Sequence, residues 1–348
     1  MRQVVILGSP NTKRTTYLRK AAEQDGLPVT FVDWADQKDW YGLQRLSNAA
    51  GLLVKIDPPQ WTSCSLDALN QHTDGYIQQL AELDRMENTV FFNAPSSITG
   101  LLDKQACKAR LQEAGLPVTE AVRMSSASDG GTCTVDALLE EMRRQHVHQV
   151  FIKPIKGSGA AGVAALRLHV HTGRMALYTC ALLQPNMELI NTKCLRQFSR
   201  TDEIVPLLNR ILALDCIVER WYGKAVHQGY AYDLRAVVQD GQLDYLLARL
   251  SKGPVTNLHL NNHPLDIAQL GLSGHAVEEI AQLCRAGMAL YPGLRSAGID
   301  ILLEKGSMRP RIIEMNAQGD LIYQDIYHEN SIYRHQARMM KEYSQNGE

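Results

Sequence analysis

Within the first ninety residues, four short runs rich in β-branched residues (4–7, 29–32, 52–55 and 90–92) alternate with amphipathic segments at 12–24, 40–48 and 65–86. Parallel strands cannot be joined by tight hairpins, so strand-sized runs separated by helical patterns predict a parallel sheet with helices on its faces. The run at 4–7 follows a single basic residue and is too short for a secretory leader, so it reads as a core strand. No apolar stretch approaches the ~20 residues of a membrane-spanning helix. The longest, such as 49–54, are strand-sized.

The pattern changes after the turn-rich stretch Asn93-Ala94-Pro95-Ser96-Ser97, which puts a boundary near residue 95. A helix over 102–114 ends at Gly115, with Pro117 just beyond. Strands at 118–123, 150–153 and 163–170, with a helix at 134–145, suggest a small α+β unit. Past residue 200 come a helix, four or five antiparallel strands between 215 and 315 interrupted by a helix at 274–290, and a charged C-terminal helix. The chain thus divides into an α/β unit (1–95), an α+β unit with its lead-in helix (96–200) and a second α+β lobe (201–348).

At 348 residues the chain buries a core without staples. Its 36 Lys+Arg against 37 Asp+Glu, with no basic block, argue against nucleic acid as a partner. The seven cysteines are odd in number and scattered, without a CxxC pair, which fits reduced thiols of a cytoplasmic protein and disfavours zinc. Cys284 shares a helical stripe with Val277, Ile280 and Met288, so its role is packing.

Residues 150–163, VFIKPIKGSGAAGV, hold Gly157, Gly159 and Gly162 in GxGxxG spacing. A dinucleotide-binding turn must run into a helix, whereas strand-like VAALRLHV follows here. A kinase loop has its lysine after the glycines, and a Walker A loop closes on GK[ST]; neither holds. What remains is a hairpin whose glycines let backbone N–H groups approach phosphate, with Lys153 projecting from the preceding strand as a point charge. A plain tight hairpin would need neither the lysines nor the run of small residues.

The second constellation is AGIDILLEKGSMRPRIIEMN. Glu314 and Asn316 share a strand face because side chains alternate with period two. A turn centred on Ser307 sets Asp300 across from Glu314. Two carboxylates and an amide on rigid strands suit Mg²⁺, which takes one or two carboxylates together with substrate phosphates and water. Both acids interrupt otherwise apolar strands, where unpaired carboxylates are costly. Charged residues also recur inside the predicted strands around Glu219, Asp233, Arg235 and Arg249, and read as lining a cleft.

Lys104 in its DK dipeptide, the IKP-x-x-GSGAAGV loop, Glu219, the D-x-R of Asp233 and Arg235, Arg249 and the closing D…E-x-N together resemble the ATP-grasp superfamily over roughly residues 90–320. KIDPP (55–59) and ARLSKGPVTNLH (248–259) are most similar to the bacterial glutathione synthetase and RimK-like branch. The sequence departs from that branch at LHLNNHP after Asn257, which lacks a Gly-Gly pair, and at AQGDL after Asn316. The resemblance implies a pre-ATP domain followed by two lobes clasping ATP. Lys104 and Lys153 would hold the α- and β-phosphates, and the loop from Gly157 through Ser158 and Gly159 to Gly162 would close over the γ end. Glu219, with the backbone through Arg220, Trp221 and Tyr222, would meet adenine, Asp233 the ribose, and Ile152, Trp221 and Ile313 would pack on the base. Asp300, Glu314 and Asn316 would bind Mg²⁺. Arg249 would act with Lys153 on the transferring phosphoryl group, while Arg235, Asn257 and Asp57 would border the acid substrate.

The implied activity is an ATP-dependent carboxylate–amine or carboxylate–thiol ligase working through an acyl phosphate and releasing ADP and phosphate. Its partners would be a small-molecule or peptide carboxylate and a nucleophile, with no membrane, and a homodimer is common among relatives. A non-catalytic ATP-binding module and a phosphotransferase of the same fold are the alternatives.

Overall fold

The computed structural model of the chain describes residues 1–49, 51–124, 133–157, 159–319 and 321–345. Strands β1 (Gln3–Gly8), β2 (Val29–Asp33), β3 (Leu52–Ile56) and β4 (Thr89–Phe91) form a sheet in the order β2-β1-β3-β4. Every pairing in it is parallel, as the alternation with α1 (Lys13–Gln24), α2 (Gln37–Ala49) and α3 (Leu66–Leu83) requires. Period-two alternation splits the burial: Val5 and Leu7 pack with Tyr76 and Leu80 of α3, while Val4 and Ile6 pack with Leu18 and Ala22 of α1.

The stretch 93–97, expected as a turn, instead opens α4 (Pro95–Leu102). Pro95 sits at the first helical position, where its missing N–H costs nothing and its fixed φ favours the helix. The predicted helix over 102–114 starts anew at Asp103, whose carboxylate accepts the Ala106 N–H (2.8 Å) and caps α5 (Lys104–Glu113). Residues 118–123 do not form a regular strand. They lace two sheets together through single bridges, Val118 to Ile312 and Ala121 to Glu219.

The second sheet is antiparallel, in the order β8-β7-β6-β5-β9: β5 (Gln149–Pro154), β6 (Ala164–Leu168), β7 (Met175–Leu183), β8 (Leu189–Phe198) and β9 (Cys216–Arg220). Helices α6 (Val135–Arg144) and α7 (Thr201–Leu212) cover one face, burying Leu138, Met142, Leu208 and Ile211 against Val150, Ile152 and Leu166. Strands β7 and β8 were not foreseen. The first is an apolar run without alternation, and the second is a mostly polar edge strand.

The third sheet runs β13-β12-β11-β14-β15, with the two-residue β10 (Val226–His227) beside β11. Its members are β11 (Tyr230–Gln239), β12 (Gln242–Ser251), β13 (His263–Asp266), β14 (Ser296–Leu303) and β15 (Pro310–Asn316). Helix α8 (Gly274–Ala289) buries Ile280, Cys284 and Met288 against it. After the short α9 (Tyr323–Ile326), α10 (Ser331–Gln345) returns to the first sheet, where Tyr333, Ala337 and Met340 pack with Leu18, Ala21 and Ala22 of α1. All seven cysteines are free, and no helix among the described residues is long and apolar enough to cross a membrane.

Candidate functional site

Strand register assembles the charges of the cleft. Asp233 and Arg235 lie two apart on β11 and share a face. Pairing sets Asp233 opposite Arg249 of β12, Arg235 opposite Asp300 of β14, and Asp300 opposite Glu314 of β15. Asn316 stands opposite Gly298, so the expected trio Asp300, Glu314 and Asn316 comes together on one face. The other face of these strands carries Leu234, Ala236, Ala248 and Ile299 into the core.

Arg249 is buried and bridges two acids, with Nε 2.8 Å from Asp233 Oδ1 and Nη2 3.0 Å from Asp300 Oδ2. Lys224 Nζ lies 3.2 Å from Asp233 Oδ2, which also accepts the Thr256 hydroxyl. Arg235 Nη1 is 3.1 Å from Asp300 Oδ1, yet both atoms are buried and neither makes a hydrogen bond. Gly298 and Gly319 leave room for this guanidinium: a Cβ on Gly298 would come 2.7 Å from Nη1, and one on Gly319 3.0 Å.

Burial pushes the Asp233 carboxyl up, but Arg249 and Lys224 outweigh it and hold the group down at about 2. Its unfolded value is about 3.9. Because the folded value is the lower one, the stabilisation is complete above the unfolded value and is lost as pH falls through the folded one, between about 4 and 2. The loss from this group is on the order of 2–3 kcal/mol. Urea midpoints at pH 7, 4 and 2.5 should show that fall in wild type and a flatter profile in Asp233→Asn.

Across the cleft, β5 and β9 present Lys153 and Glu219, 2.9 Å apart. Lys108 of α5 reaches the same carboxylate at 3.3 Å and donates to Thr119 Oγ1 (2.8 Å) and the Ile313 carbonyl (2.7 Å). All four side chains are buried. Burial raises the Glu219 carboxyl, but Lys108 and Lys153 more than reverse this, so it stays ionised. Burial pulls both lysines down. Glu219 and Glu314 overcome that for Lys153, whereas Lys108 stays below its ordinary value, with burial dominant and Lys153 repelling it. Two lysines thus surround one carboxylate, and of the two Lys153 lines the cleft.

The glycine loop stands over this cluster. Lys104 Nζ donates to the Gly157 carbonyl at 2.6 Å, linking α5 to the loop. Gly157 and Gly159 have φ of +112° and +67° and line the cleft. Gly162, at φ +69°, lies beneath the loop, where a Cβ would press on Pro154 Cγ at 2.8 Å. Ser158 lies outside the described residues.

A cavity of about 100 Å³ between the second and third sheets is lined by Lys104, Phe151, Lys153, Glu219, Arg220, Tyr222, Asp233, Arg249, Asp300, Ile313 and Glu314. A second, of about 350 Å³, opens beside it and shares Gly157, Gly159, Arg249, Asn257, Asp300 and Glu314. Arg235 and Asn316 line the second cavity.

Three expectations shift. Ile152, next to Lys153, points to the opposite face of β5 and is buried under α6 and α7, so Phe151 takes the cavity side. Trp221 is not among the lining residues: it packs against Phe151 (ring centroids 5.2 Å) and under Arg167 (4.8 Å). Asp57 is buried against Lys55 (2.7 Å), and it is Pro58 and Pro59 that border the larger cavity. Lys108, Thr119, Lys224 and Thr256 were missed. Only Lys108, a lysine beside Cys107 and Leu111 on a buried helix face, carries a sequence signal.

The oxygen donors of Asp300, Glu314 and Asn316 fit Mg²⁺, and the unbonded Asp300 Oδ1 offers a buried acceptor. Among the described residues no group of three or more His, Cys, Asp or Glu side chains is placed to hold a metal ion.

No protein-family model and no curated protein sequence matches the chain. Solved structures do match over nearly full length. The ATP-grasp ligase PsnB with a minimal precursor is 16% identical, with TM-score 0.56 over 98% of this chain and 99% of its own. Another PsnB structure holds a phosphomimetic variant of its minimal precursor, Mg and ADP. The macrocyclase MdnC from Microcystis aeruginosa, bound with the precursor peptide MdnA, is 12% identical, with TM-score 0.57 over 98% and 100%. D-alanine–D-alanine ligase from Bacillus anthracis with ATP is 12% identical, with TM-score 0.55 over 99% and 97%. A parallel sheet followed by two antiparallel sheets with a charged cleft between them, matched end to end by these structures, identifies the chain as one with the ATP-grasp fold.

Proposed function

We propose that the cleft binds Mg-ATP and activates an organic carboxylate for attack by an amine or thiol. The observation that carries this is the register-locked row Arg235–Asp300–Glu314, with Arg249 beside it, facing Lys153 and the glycine loop. The ATP and magnesium parts are supported by the ligands of the matching structures. The finer kinship with glutathione synthetases has less support, because Asp57 of its KIDPP segment faces Lys55.

In this reading Lys104 and Lys153 hold phosphate oxygens, and the backbone of the 157–162 loop closes on the terminal phosphate. Phe151, Tyr222 and Ile313 flank the base. Asp233 serves chiefly to fix Arg249 and Lys224, because both of its oxygens are engaged. Asp300, Glu314 and Asn316 would hold Mg²⁺, which when bound would neutralise phosphate charge. The acid's oxygen attacks the γ-phosphorus, the bond to the β-bridging oxygen breaks, and ADP leaves. The nucleophile then adds to the acyl carbon and phosphate departs. Arg249 and Arg235 stabilise the charge that builds on the transferring group and on the acyl oxygen. His259 lines the larger cavity, where it can take up the nucleophile's proton.

Purified protein with Mg-ATP, an acid substrate and hydroxylamine should yield the acyl hydroxamate with stoichiometric ADP. ADP without hydroxamate, or a stable phosphorylated acid, would count against the ligase reading.

A further inference from the structure

We infer that the acid activated here carries a bulky apolar group, of the size of a leucine or aromatic side chain, close to its carboxylate. This deepens the ligase reading above and rests on it. The larger cavity, at about 350 Å³, lies within the ~300–1,000 Å³ range typical of small-molecule sites. One end is ionic: Arg235, with its buried and unbonded Nη1, stands beside Asp300 and Glu314. Arg235 lines this end, with its Nη1 3.1 Å from Asp300 Oδ1.

The wall supplied by α3, α4 and the loop before α3 is of a different kind. Leu69 and Tyr76 of α3, Ile98, Leu101 and Leu102 of α4, and Trp61 of the loop before α3 line it, and α3 and α4 add no charged side chain to the lining. Trp61 is held by stacking on His72 (5.1 Å) and by the edge of Tyr76 (6.3 Å). The Tyr76 hydroxyl accepts from Gln318 Nε2 at 2.8 Å, so its polar atom is already satisfied. Gln318 also donates to the Ile56 carbonyl (2.9 Å), which ties this wall to the turn just past Asn316. Arg14 is the cation that the first unit adds to the lining, and it is engaged within the protein. A small acid would leave this apolar surface wet, and a second carboxylate or an ammonium group against it would be desolvated without a partner. A large apolar group gains the burial, at about 1.5–3 kcal/mol for a full side chain.

The test is hydroxamate formation by the full chain with Mg-ATP across leucine, phenylalanine and tryptophan against alanine, aspartate, glutamate and lysine. Each apolar acid is offered both free and at the C-terminus of a dipeptide, to separate a free amino acid from a peptide end. The large apolar acids should exceed alanine at least ~10-fold in kcat/KM. Best turnover with alanine or a dicarboxylic acid overturns the inference while leaving the ligase reading intact. Thermal shift with Mg and a non-hydrolysable ATP analogue gives the complementary arm. Selective stabilisation by the apolar acids without any hydroxamate would keep the cavity's preference for a bulky apolar acid but sink the ligase reading and with it the activation of that acid, whereas no selectivity in either assay sinks the inference. In Leu69→Phe, which narrows the cavity, the tryptophan-to-leucine ratio of kcat/KM should drop about tenfold, and an unchanged ratio counts against the assigned wall.

Discussion

Glu314→Gln is expected to lose at least ~10³-fold in turnover while keeping the wild-type urea midpoint. Among the described residues Glu314 makes no side-chain hydrogen bond or ion pair, and it is only half-buried, so an isosteric amide disturbs no protein contact. Its negative charge nevertheless faces Lys153 and Asp300, where the proposed divalent cation would need it. Metal-borne charge stabilisation is worth several kcal/mol in the transition state, and each ~1.4 kcal/mol is tenfold in rate. ADP release in a coupled assay, read beside the unfolding curve, checks both halves. Turnover within a few-fold of wild type removes Glu314 from the machinery.

Arg249→Ala should behave differently, costing stability as well as rate. The side chain is buried between Asp233 and Asp300, and its removal takes from each carboxylate a cation within 3.0 Å. Breaking a buried pair by deleting one partner costs about 3–5 kcal/mol, a large share of the ~5–15 kcal/mol of a typical domain. The expected result is a clearly lowered urea midpoint, and a kcat that falls far more than ATP affinity does. Arg249→Lys separates the two effects: a retained cation can serve Asp233 and restore most of the stability, but it lacks the fork that spans both acids. If Arg249→Ala unfolds like wild type, the bridging role is wrong.

What the sequence made legible follows from periodicity. Alternation in 1–92 and the apolar stripe through Cys284 led directly to the parallel sheet and to α8, because both elements bury one clear face. The pairing of Asp300 with Glu314 was reached by assuming a regular hairpin, but the hairpin's register alone would set Asp300 against Ile313, and a bulge between Asp300 and Ile301 moves it opposite Glu314. Less readable was anything decided by a distant partner. The 118–123 segment looks like a strand, but its neighbours leave it only single bridges. Asp57 looked available, and Lys55, two residues away on the same face, occupies it. Ile152 shows a one-residue error of face: Lys153 was placed toward the phosphates, which by period two sends Ile152 away and brings Phe151 in.

The cleft's ions are cross-strand neighbours on one side of the same strands whose other side is core. A one-residue slip of β11 against β12 or β14 would therefore turn Asp233 and Arg235 inward and Leu234 and Ala236 outward in a single step. Such a slip would bury charge and expose apolar surface at once, so it costs stability in the same step that it dismantles the cleft. The hydrogen-bond ladder that aligns the apolar side for packing also sets the order of charges on the other.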